Sequence, residues 1–172
     1  MCFLMGKRLT LRPVTDSPTD TATVVYWRNS NEARNAFWSK DVVTPDTHAA
    51  FCANRPPHDF TWLALDKTTG EPVGMGGLTV DTVYHRAEWG RIFVDPAYRQ
   101  GGYGREMVSM VFDWAFEALN LEHVWIEAYA DNEGILNMYH KMGLVECVGT
   151  GPQRDRPTTF RRMLGETWRA RG

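Results

Sequence analysis

The chain has 172 residues, of which 43% are hydrophobic and 23% charged, and its net charge at pH 7 is -2. This length supports one domain with a sizeable core, over residues 1 to 172, and the small net charge argues against nucleic acid or an anionic membrane as a partner. Three distant cysteines without C-x-x-C spacing argue against a disulfide framework and a thiolate metal site. The first residues do not form a signal peptide and no apolar run could span a bilayer, so we expect a cytoplasmic protein.

The first third of the chain predicts one strand and two helices. Partial alternation of apolar residues predicts a strand over residues 7 to 14. Asp20 or Thr21 can cap a first helix, which we expect to lead into residues 29 to 38. We expect a second helix after Thr44-Pro45-Asp46, with Thr44 or Asp46 as its cap and residues 47 to 53 within it.

The middle of the chain predicts a sheet with a ligand slot. Residues 61 to 66 and 73 to 80 read as a hairpin, and the glycines in its second strand indicate close approach by another backbone or a ligand. A strand over residues 89 to 94, a helix over 103 to 120 and a strand over 123 to 129 form a crossover unit, so the two strands should be parallel. Such neighbours can splay at their carboxyl ends and leave a crevice for a ligand.

The end of the chain predicts a short helix and two strands. Asp131 or Asn132 can cap a helix that runs through Met142, and Gly143 can end it in the left-handed conformation. Strands over residues 144 to 149 and about 159 to 164 then complete the sheet.

A glycine-rich loop links the strand at residue 94 to the helix at residue 103. Exposed backbone N–H groups at a helix start, together with the helix dipole, suit a phosphate or pyrophosphate. A P-loop would need lysine followed by Ser or Thr, and a dinucleotide fingerprint would need glycine where Met107 stands, so both nucleotide motifs are excluded.

The remaining pattern is R-x-x-G-x-G, spanned by Arg99, Gly102 and Gly104. It resembles the acetyl-CoA signature of the GNAT superfamily of N-acetyltransferases, whose loop holds the CoA pyrophosphate by backbone amides. A second stretch resembles that family's following motif, in which Asn132 leads a helix and Tyr139 follows seven residues later. Two weak motifs in the correct order, separated by the correct elements, are much more specific than either alone.

Three positions depart from the family pattern. Ile135 replaces a small residue, Leu144 replaces Phe, and Gly101 stands where a basic residue is common. The resemblance is tightest over residues 72 to 145. It implies a mixed α/β fold, with a central, mostly antiparallel sheet that contains a splayed parallel strand pair and is flanked by helices.

The resemblance also implies acetyl-CoA as the acetyl donor. The backbones of two residues at the end of the strand should pair with the pantetheine amides as an added strand would. The loop should surround the pyrophosphate. The residues implied at the cofactor are Phe93, Val94, Arg99, Gln100, Gly101, Gly102, Tyr103, Gly104, Arg105, Asn132 and Asn137.

Acetyl transfer to an amine needs a base for the amine and an acid for the departing thiolate. A lysine-like amine with a pKa of about 10.4 is almost wholly protonated at neutral pH. Glu88 is the candidate base, at a position that resembles the base carboxylate of many GNAT enzymes, and strand alternation should put it on one face with Gly90, Ile92 and Val94. An ion pair with Arg86 or Arg91 is the structural alternative. His85 is the reserve base. Tyr139 is the candidate acid, since a phenol is protonated at neutral pH.

The acceptor is less clear from the sequence. Trp27, Arg28 and Asn29 lie in a stretch similar to enzymes that acetylate a nucleotide-linked amino sugar, whereas His85 to Glu88 is similar to spermidine acetyltransferases and to those acting on ribosomal protein N-termini. The first similarity covers more of the chain. We therefore expect direct attack by a small primary amine in a ternary complex, with His85 also at the acceptor, and keep polyamine and protein N-terminal acceptors as alternatives.

Two other classes of function remain open. The chain could be a non-catalytic acetyl-CoA-binding module, or a structural domain that binds phosphate. The five histidines show no metal-ligand spacing, so we expect no metal. The oligomeric state is also open, with a homodimer as one alternative.

Overall fold

The computed structural model describes residues 2 to 171. Eight strands form one sheet in the order β1-β2-β3-β4-β5-β6-β8-β7. The strands are β1 (Leu4–Met5), β2 (Leu9–Pro13), β3 (Asp59–Asp66), β4 (Pro72–Asp81), β5 (Arg86–Val94), β6 (His123–Tyr129), β7 (Val145–Cys147) and β8 (Thr158–Leu164). The helices are α1 (Pro18–Arg28), α2 (Asn31–Ala36), α3 (Pro45–Asn54), α4 (Tyr103–Asp113), α5 (Glu133–Lys141) and α6 (Gly165–Arg169).

Strands β5 and β6 are the parallel pair in an otherwise antiparallel sheet. Their pairing covers only Arg86 to Glu88 against His123 to Trp125. Both strands continue past these residues, to Val94 and Tyr129, without pairing to each other. The structure therefore confirms the mixed fold and the splayed parallel pair.

Two apolar clusters cover the two faces of the sheet. Trp62 and Trp89 belong to the cluster that contains the apolar side of α4 and the Tyr139 end of α5. Leu63, the neighbour of Trp62 on β3, belongs to a second cluster with residues of α1 and α2. Because successive side chains of a strand point to opposite faces, α4 and α5 lie on one face and α1 and α2 on the other. Side chains on both faces of the sheet therefore lie next to the gap between β5 and β6.

The predicted first helix is wrong in its start and in its continuity. Ser17, not Asp20 or Thr21, caps α1 by accepting the Asp20 N–H at 3.3 Å. The predicted helix is interrupted after Arg28, and Ser30 caps a second helix, α2, by accepting the Ala33 N–H at 3.2 Å. A serine hydroxyl at each start satisfies an otherwise unpaired N–H, so two short helices replace one long one. The Thr44 cap of α3 is confirmed as a capping box.

The strand alternation predicted around Glu88 is interrupted by a bulge. The register between β4 and β5 shifts between Met75 and Gly77, and Arg91 has a φ of 53°. Beyond it, Phe93 packs in the second cluster while Ile92 and Val94 pack against the first. Simple alternation predicted that Glu88 shares a face with Ile92 and Val94. This prediction is wrong, because the bulge puts Ile92 and Val94 on the other face of the sheet.

Other boundaries differ at element ends. The helix after the glycine loop is α-helical only to residue 113 and continues as a π-helical turn over Trp114–Ala118. The short elements β1 and α6 were not predicted. Within residues 2 to 171, no helix is both long and apolar enough to cross a membrane.

Candidate active site

A cleft of about 170 Å³ lies where β5 and β6 diverge. We call it the slot. Both strands contribute side chains to it, α5 closes one side and the end of α2 the other. Its lining includes Phe37, Trp38, Thr79, Glu88, Trp89, Arg91, Glu127, Tyr129, Asn132, Ile135 and Tyr139.

Tyr139 lines the slot from α5 and is 2% exposed. Its hydroxyl oxygen accepts a hydrogen bond from the Trp89 indole N–H at 3.0 Å. An indole N–H can only donate, so the phenol keeps its own proton for another acceptor. No hydrogen bond among residues 2 to 171 uses that proton. Burial raises the pKa of Tyr139, so the phenol stays protonated at neutral pH.

Trp89 reaches Tyr139 because β4 has a glycine opposite its ring. A Cβ at Gly76 would lie 2.2 Å from the indole Cη2 atom, and one at Gly74 would lie 2.5 Å from the Phe93 carbonyl oxygen. The close approach predicted for the β4 glycines is thus made by a ring and a backbone carbonyl of β5. The indole and the phenol are held together by this packing.

Glu88 lines the slot and has no ion-pair partner among residues 2 to 171. Its expected alternative partners are occupied elsewhere, since Arg86 pairs with Asp81 and Arg91 pairs with Asp59. Burial raises the pKa of Glu88, and the charge of Arg91 opposes that shift. Glu88 precedes Trp89 on β5, so its side chain leaves the opposite face of the strand from the indole. The candidate base and the candidate acid therefore approach the slot from opposite faces of the sheet.

A second carboxylate in the slot, Glu127, was missed by the sequence analysis. It lies on β6 and its side chain is 3% exposed. Arg154 donates to it at 2.9 Å and the Thr158 hydroxyl donates at 3.0 Å. Its place on a strand beside the predicted crevice was the one sign in the sequence that Glu127 could line the slot. Its partners, Arg154 and Thr158, are distant in sequence and gave no local pattern.

The glycine-rich loop presents unpaired backbone donors beside the end of β5. Gly102 has a φ of 79° and precedes α4 without a side-chain cap. The backbone N–H groups of residues 101 to 105 have no acceptor among residues 2 to 171. A Cβ at Gly104 would lie 3.3 Å from Val94 Cγ2, so this glycine lets the loop pack against the strand. These donors, at the positive end of α4, can bind a phosphate-bearing ligand.

Arg8 fixes this loop and was also missed by the sequence analysis. Its Nη1 donates to the Gly101 carbonyl at 2.7 Å, and its Nε donates to Glu106 at 2.8 Å. Its guanidinium lies 4.5 Å from the centre of the Tyr103 ring. The Tyr103 hydroxyl donates to Asp66 at 2.7 Å, which ties the loop to the turn after β3.

The other predicted cofactor residues have distinct placements. Asn132 lines the slot and caps α5 by accepting the Ile135 N–H at 3.4 Å, whereas Asn137 is exposed on α5 outside the slot lining. Phe93 is buried in the second cluster. The Val94 carbonyl, predicted to pair with pantetheine, accepts the Nε–H of Arg99 at 3.1 Å. Gln100 adopts a φ of 64° beside the loop glycines, and Arg105 lies in the first turn of α4.

The predicted acceptor residues do not line the slot. Trp27 is buried and donates its indole N–H to Asp95 at 2.8 Å. Asn29 binds the backbone N–H and carbonyl of Val43, both at 2.8 Å. His85 is exposed in the turn before β5. Arg28 lines a neighbouring cavity instead.

These features define a transferase site with two parts. One part can hold a phosphate-bearing donor on exposed amides, and the other brings the Tyr139 phenol and the Glu88 carboxylate to the two sides of a gap in the sheet. Comparison with known proteins agrees with this class. A family model described as an acetyltransferase (GNAT) domain matches residues 8 to 145. The chain belongs to the GNAT acetyltransferase family and is an acyltransferase.

Characterised relatives share modest identity with the chain. It is 21% identical over 146 residues to the spermidine N(1)-acetyltransferase of Vibrio cholerae, covering 83% of this chain and 82% of the relative. It is 22% identical over 121 residues to that of Escherichia coli K12, covering 69% and 64%.

Solved structures share the fold. The Vibrio cholerae spermidine N-acetyltransferase in complex with CoA and spermine has a TM-score of 0.82 at 16% identity, over 94% of this chain and 98% of that one. A GNAT-family acetyltransferase of Bacillus anthracis has a TM-score of 0.79 at 17% identity, over 96% and 99%.

Proposed function

We propose that the protein transfers an acetyl group from acetyl-CoA to the primary amine of a small molecule, by direct attack in a ternary complex. The proposal depends on one observation: two side chains in the slot, Tyr139 and Glu88, each have a group that is available for proton transfer. The Tyr139 proton has no acceptor and the Glu88 carboxylate has no ion-pair partner among the described residues.

The residues present suit acetyl-CoA as the donor. The backbone N–H groups of residues 101 to 105 form a concave set of donors for a pyrophosphate, and Arg8 holds their loop in place. The unpaired edges of β5 and β6 can take a pantetheine chain as an added strand. When bound, acetyl-CoA supplies a thioester whose carbonyl carbon accepts the amine.

Glu88 and Tyr139 supply the proton transfers. A primary amine with a pKa of about 10.4 enters mostly as the ammonium ion, and the Glu88 carboxylate accepts its proton directly or through one water. The raised pKa of Glu88 makes it a better base than an exposed carboxylate. Tyr139 donates its proton to the departing sulfur, and the Trp89 N–H holds the phenol oxygen while it does so.

The charges around the slot favour a compact amine over a polycation. Two carboxylates that could attract a polyamine are already neutralised, Glu127 by Arg154 and Asp59 by Arg91. Glu88 alone among these three is unpaired in the described chain. An amino sugar, free or nucleotide-linked, is our first candidate. A polyamine is the second candidate, because the named relatives are spermidine acetyltransferases.

A thiol-release assay over a panel of amines tests the proposal. The panel contains amino sugars, nucleotide-linked amino sugars, aminoglycosides, spermidine, spermine and N-terminal peptides, each with acetyl-CoA. We expect turnover with a small amine and its loss in Tyr139→Phe. Thermal stabilisation by acetyl-CoA without turnover on any amine would instead indicate a non-catalytic binding module. No stabilisation by acetyl-CoA would overturn the donor assignment.

A further inference from the structure

A second cavity, of about 270 Å³, lies beside the slot. We call it the side cavity. It is enclosed by α1, α3, residues 39 to 43 and the second-cluster face of the sheet. Arg91 lines both the side cavity and the slot. Phe37 lines the slot and lies under the guanidinium of Arg28, with 4.1 Å between the ring centre and the guanidinium carbon. A ligand in the slot therefore has the side cavity as its neighbour.

Arg28 is a half-buried cation that has no carboxylate partner among residues 2 to 171. It lines the side cavity from the last turn of α1, and none of the ion pairs among residues 2 to 171 includes it. Its Nε atom is buried and has no hydrogen-bond partner. Burial, and then the charge of Arg91, lower the pKa of Arg28, as expected for a guanidinium that lacks a compensating anion. Arginine in such a place is usually paired.

Two further donors around the side cavity are also unsatisfied. The Nε of Arg91 and the Oγ1 of Thr61 are buried and have no hydrogen-bond partner. Thr61 is 2% exposed, so solvent does not replace the missing bond. The Arg91 Nε packs over Gly77 of β4, whereas Arg28 and Thr61 remain as cavity-lining residues with an unsatisfied polar atom. Buried polar groups are nearly always satisfied in folded proteins, so these two favour a ligand in the side cavity.

The charge of the side cavity favours an anion. Arg91 is already paired with Asp59, so Arg28 is the lining cation that has no ion-pair partner among residues 2 to 171. The one carboxylate in the lining, that of Asp41, is exposed and accepts from Ser39 at 3.2 Å. His48 also lines it, but its Nε2 lies 2.8 Å from the Thr15 carbonyl oxygen and is already engaged. Guanidinium groups bind carboxylate and phosphate oxygens through two parallel hydrogen bonds.

We propose that the acceptor amine carries an anionic group, a carboxylate or a phosphate ester, and that Arg28 and Thr61 bind this group in the side cavity. This rests on the proposed acetyl transfer and narrows its substrate class. The amine lies at Glu88 in the slot while the anionic group lies behind Phe37. A simple polyamine has no group for the side cavity, so the arrangement separates this chain from its named relatives.

Matched acceptor pairs test the proposal. Glucosamine is compared with glucosamine 6-phosphate, and 3-aminopropanol with β-alanine, by thiol release at saturating acetyl-CoA. We expect the anionic member of a pair to have a KM about ten- to a hundred-fold lower than the neutral member, the usual effect of a charge-assisted hydrogen bond, with a similar kcat. Arg28→Met should remove this difference, mainly by raising the KM of the anionic member.

Two further variants separate binding from folding. Arg28→Lys keeps the charge but loses the paired donors, so it should retain part of the preference. Lys7→Met removes one exposed positive charge away from both cavities and should change nothing. Each variant is first checked by thermal unfolding. An anionic preference that survives in Arg28→Met, or equal KM values for both members in the unmodified protein, would overturn the proposal.

Binding measurements keep the two proposals distinct. If no amine supports thiol release, acetyl transfer fails, and calorimetry of glucosamine 6-phosphate against glucosamine still tests the side cavity. Equal binding of the two, in the presence of CoA, would overturn the anion site. Inorganic phosphate that binds the protein while anionic acceptors show no advantage would assign the side cavity to a separate anion and overturn its place in acceptor recognition.

Discussion

Replacing Tyr139 with Phe removes one oxygen atom that has two separate roles. As an acceptor it satisfies the buried Trp89 N–H at 3.0 Å, and leaving that donor unpaired should lower the free energy of unfolding by about 1–3 kcal/mol. In the proposed mechanism it also donates its proton to the departing sulfur, so its loss should lower kcat by about ten- to ten-thousand-fold, or roughly 1.4 to 5.5 kcal/mol of transition-state stabilisation. The KM for acetyl-CoA should change little, because the loop amides are untouched. Urea unfolding measures the first effect and thiol release the second.

A second buried indole provides the control for destabilisation. Trp62 is 1% exposed in the same cluster as Trp89, and its N–H donates to the Cys2 carbonyl at 2.9 Å, away from the slot. Trp62→Phe should lower stability and leave kcat near that of the unmodified protein. If Tyr139→Phe retained kcat within about threefold, or if Trp62→Phe lost as much activity, the assignment of Tyr139 as the acid would be wrong.

Three other substitutions test separate parts of the structure. Because burial raises the pKa of Glu88, the acidic limb of the kcat/KM profile should lie above the pH expected for an exposed carboxylate. Glu88→Gln should remove this limb, with a deficit that shrinks as pH rises, and a deficit independent of pH would indicate a binding role. Gly102→Ala should raise the KM for acetyl-CoA several-fold, because a φ of 79° costs Ala about 1 kcal/mol and its Cβ would lie 3.3 Å from Arg8; an unchanged KM would contradict this. Burial raises the pKa of Asp20, but hydrogen bonds from Arg12 and Thr15 outweigh it and lower the pKa to about 2. This contribution of roughly 2 kcal/mol is present above pH 4 and lost as pH falls towards 2, so Asp20→Asn should lower stability at pH 7 but not at pH 2.

The sequence predicted the elements whose signals are local. Strand β6 and the Thr44 cap of α3 depend on patterns within a few residues, and the structure confirms both. The parallel pairing of β5 with β6 followed from the order strand, helix, strand. These patterns do not depend on contacts between distant residues, so the sequence alone was enough to predict them.

The remaining parts of the site depend on distant contacts. Arg8 reaches Gly101 across 93 positions of sequence, and Trp89 reaches Tyr139 across 50. Trp27 was expected at the acceptor, but it is buried and its N–H donates to Asp95, 68 positions away in the sequence. The bulge at Arg91 depends on the register of two strands, which a pattern within one strand does not report.

The short contact between β5 and β6 has a mechanical consequence. Three residue pairs join the five strands on one side of the sheet to the three on the other, so the backbone ladder is weakest along this seam. A ligand chain that lies between β5 and β6 would add hydrogen bonds to both strands and make their contact more rigid. A bound donor would therefore also stabilise the sheet, and we expect the protein to be most rigid when the donor is bound.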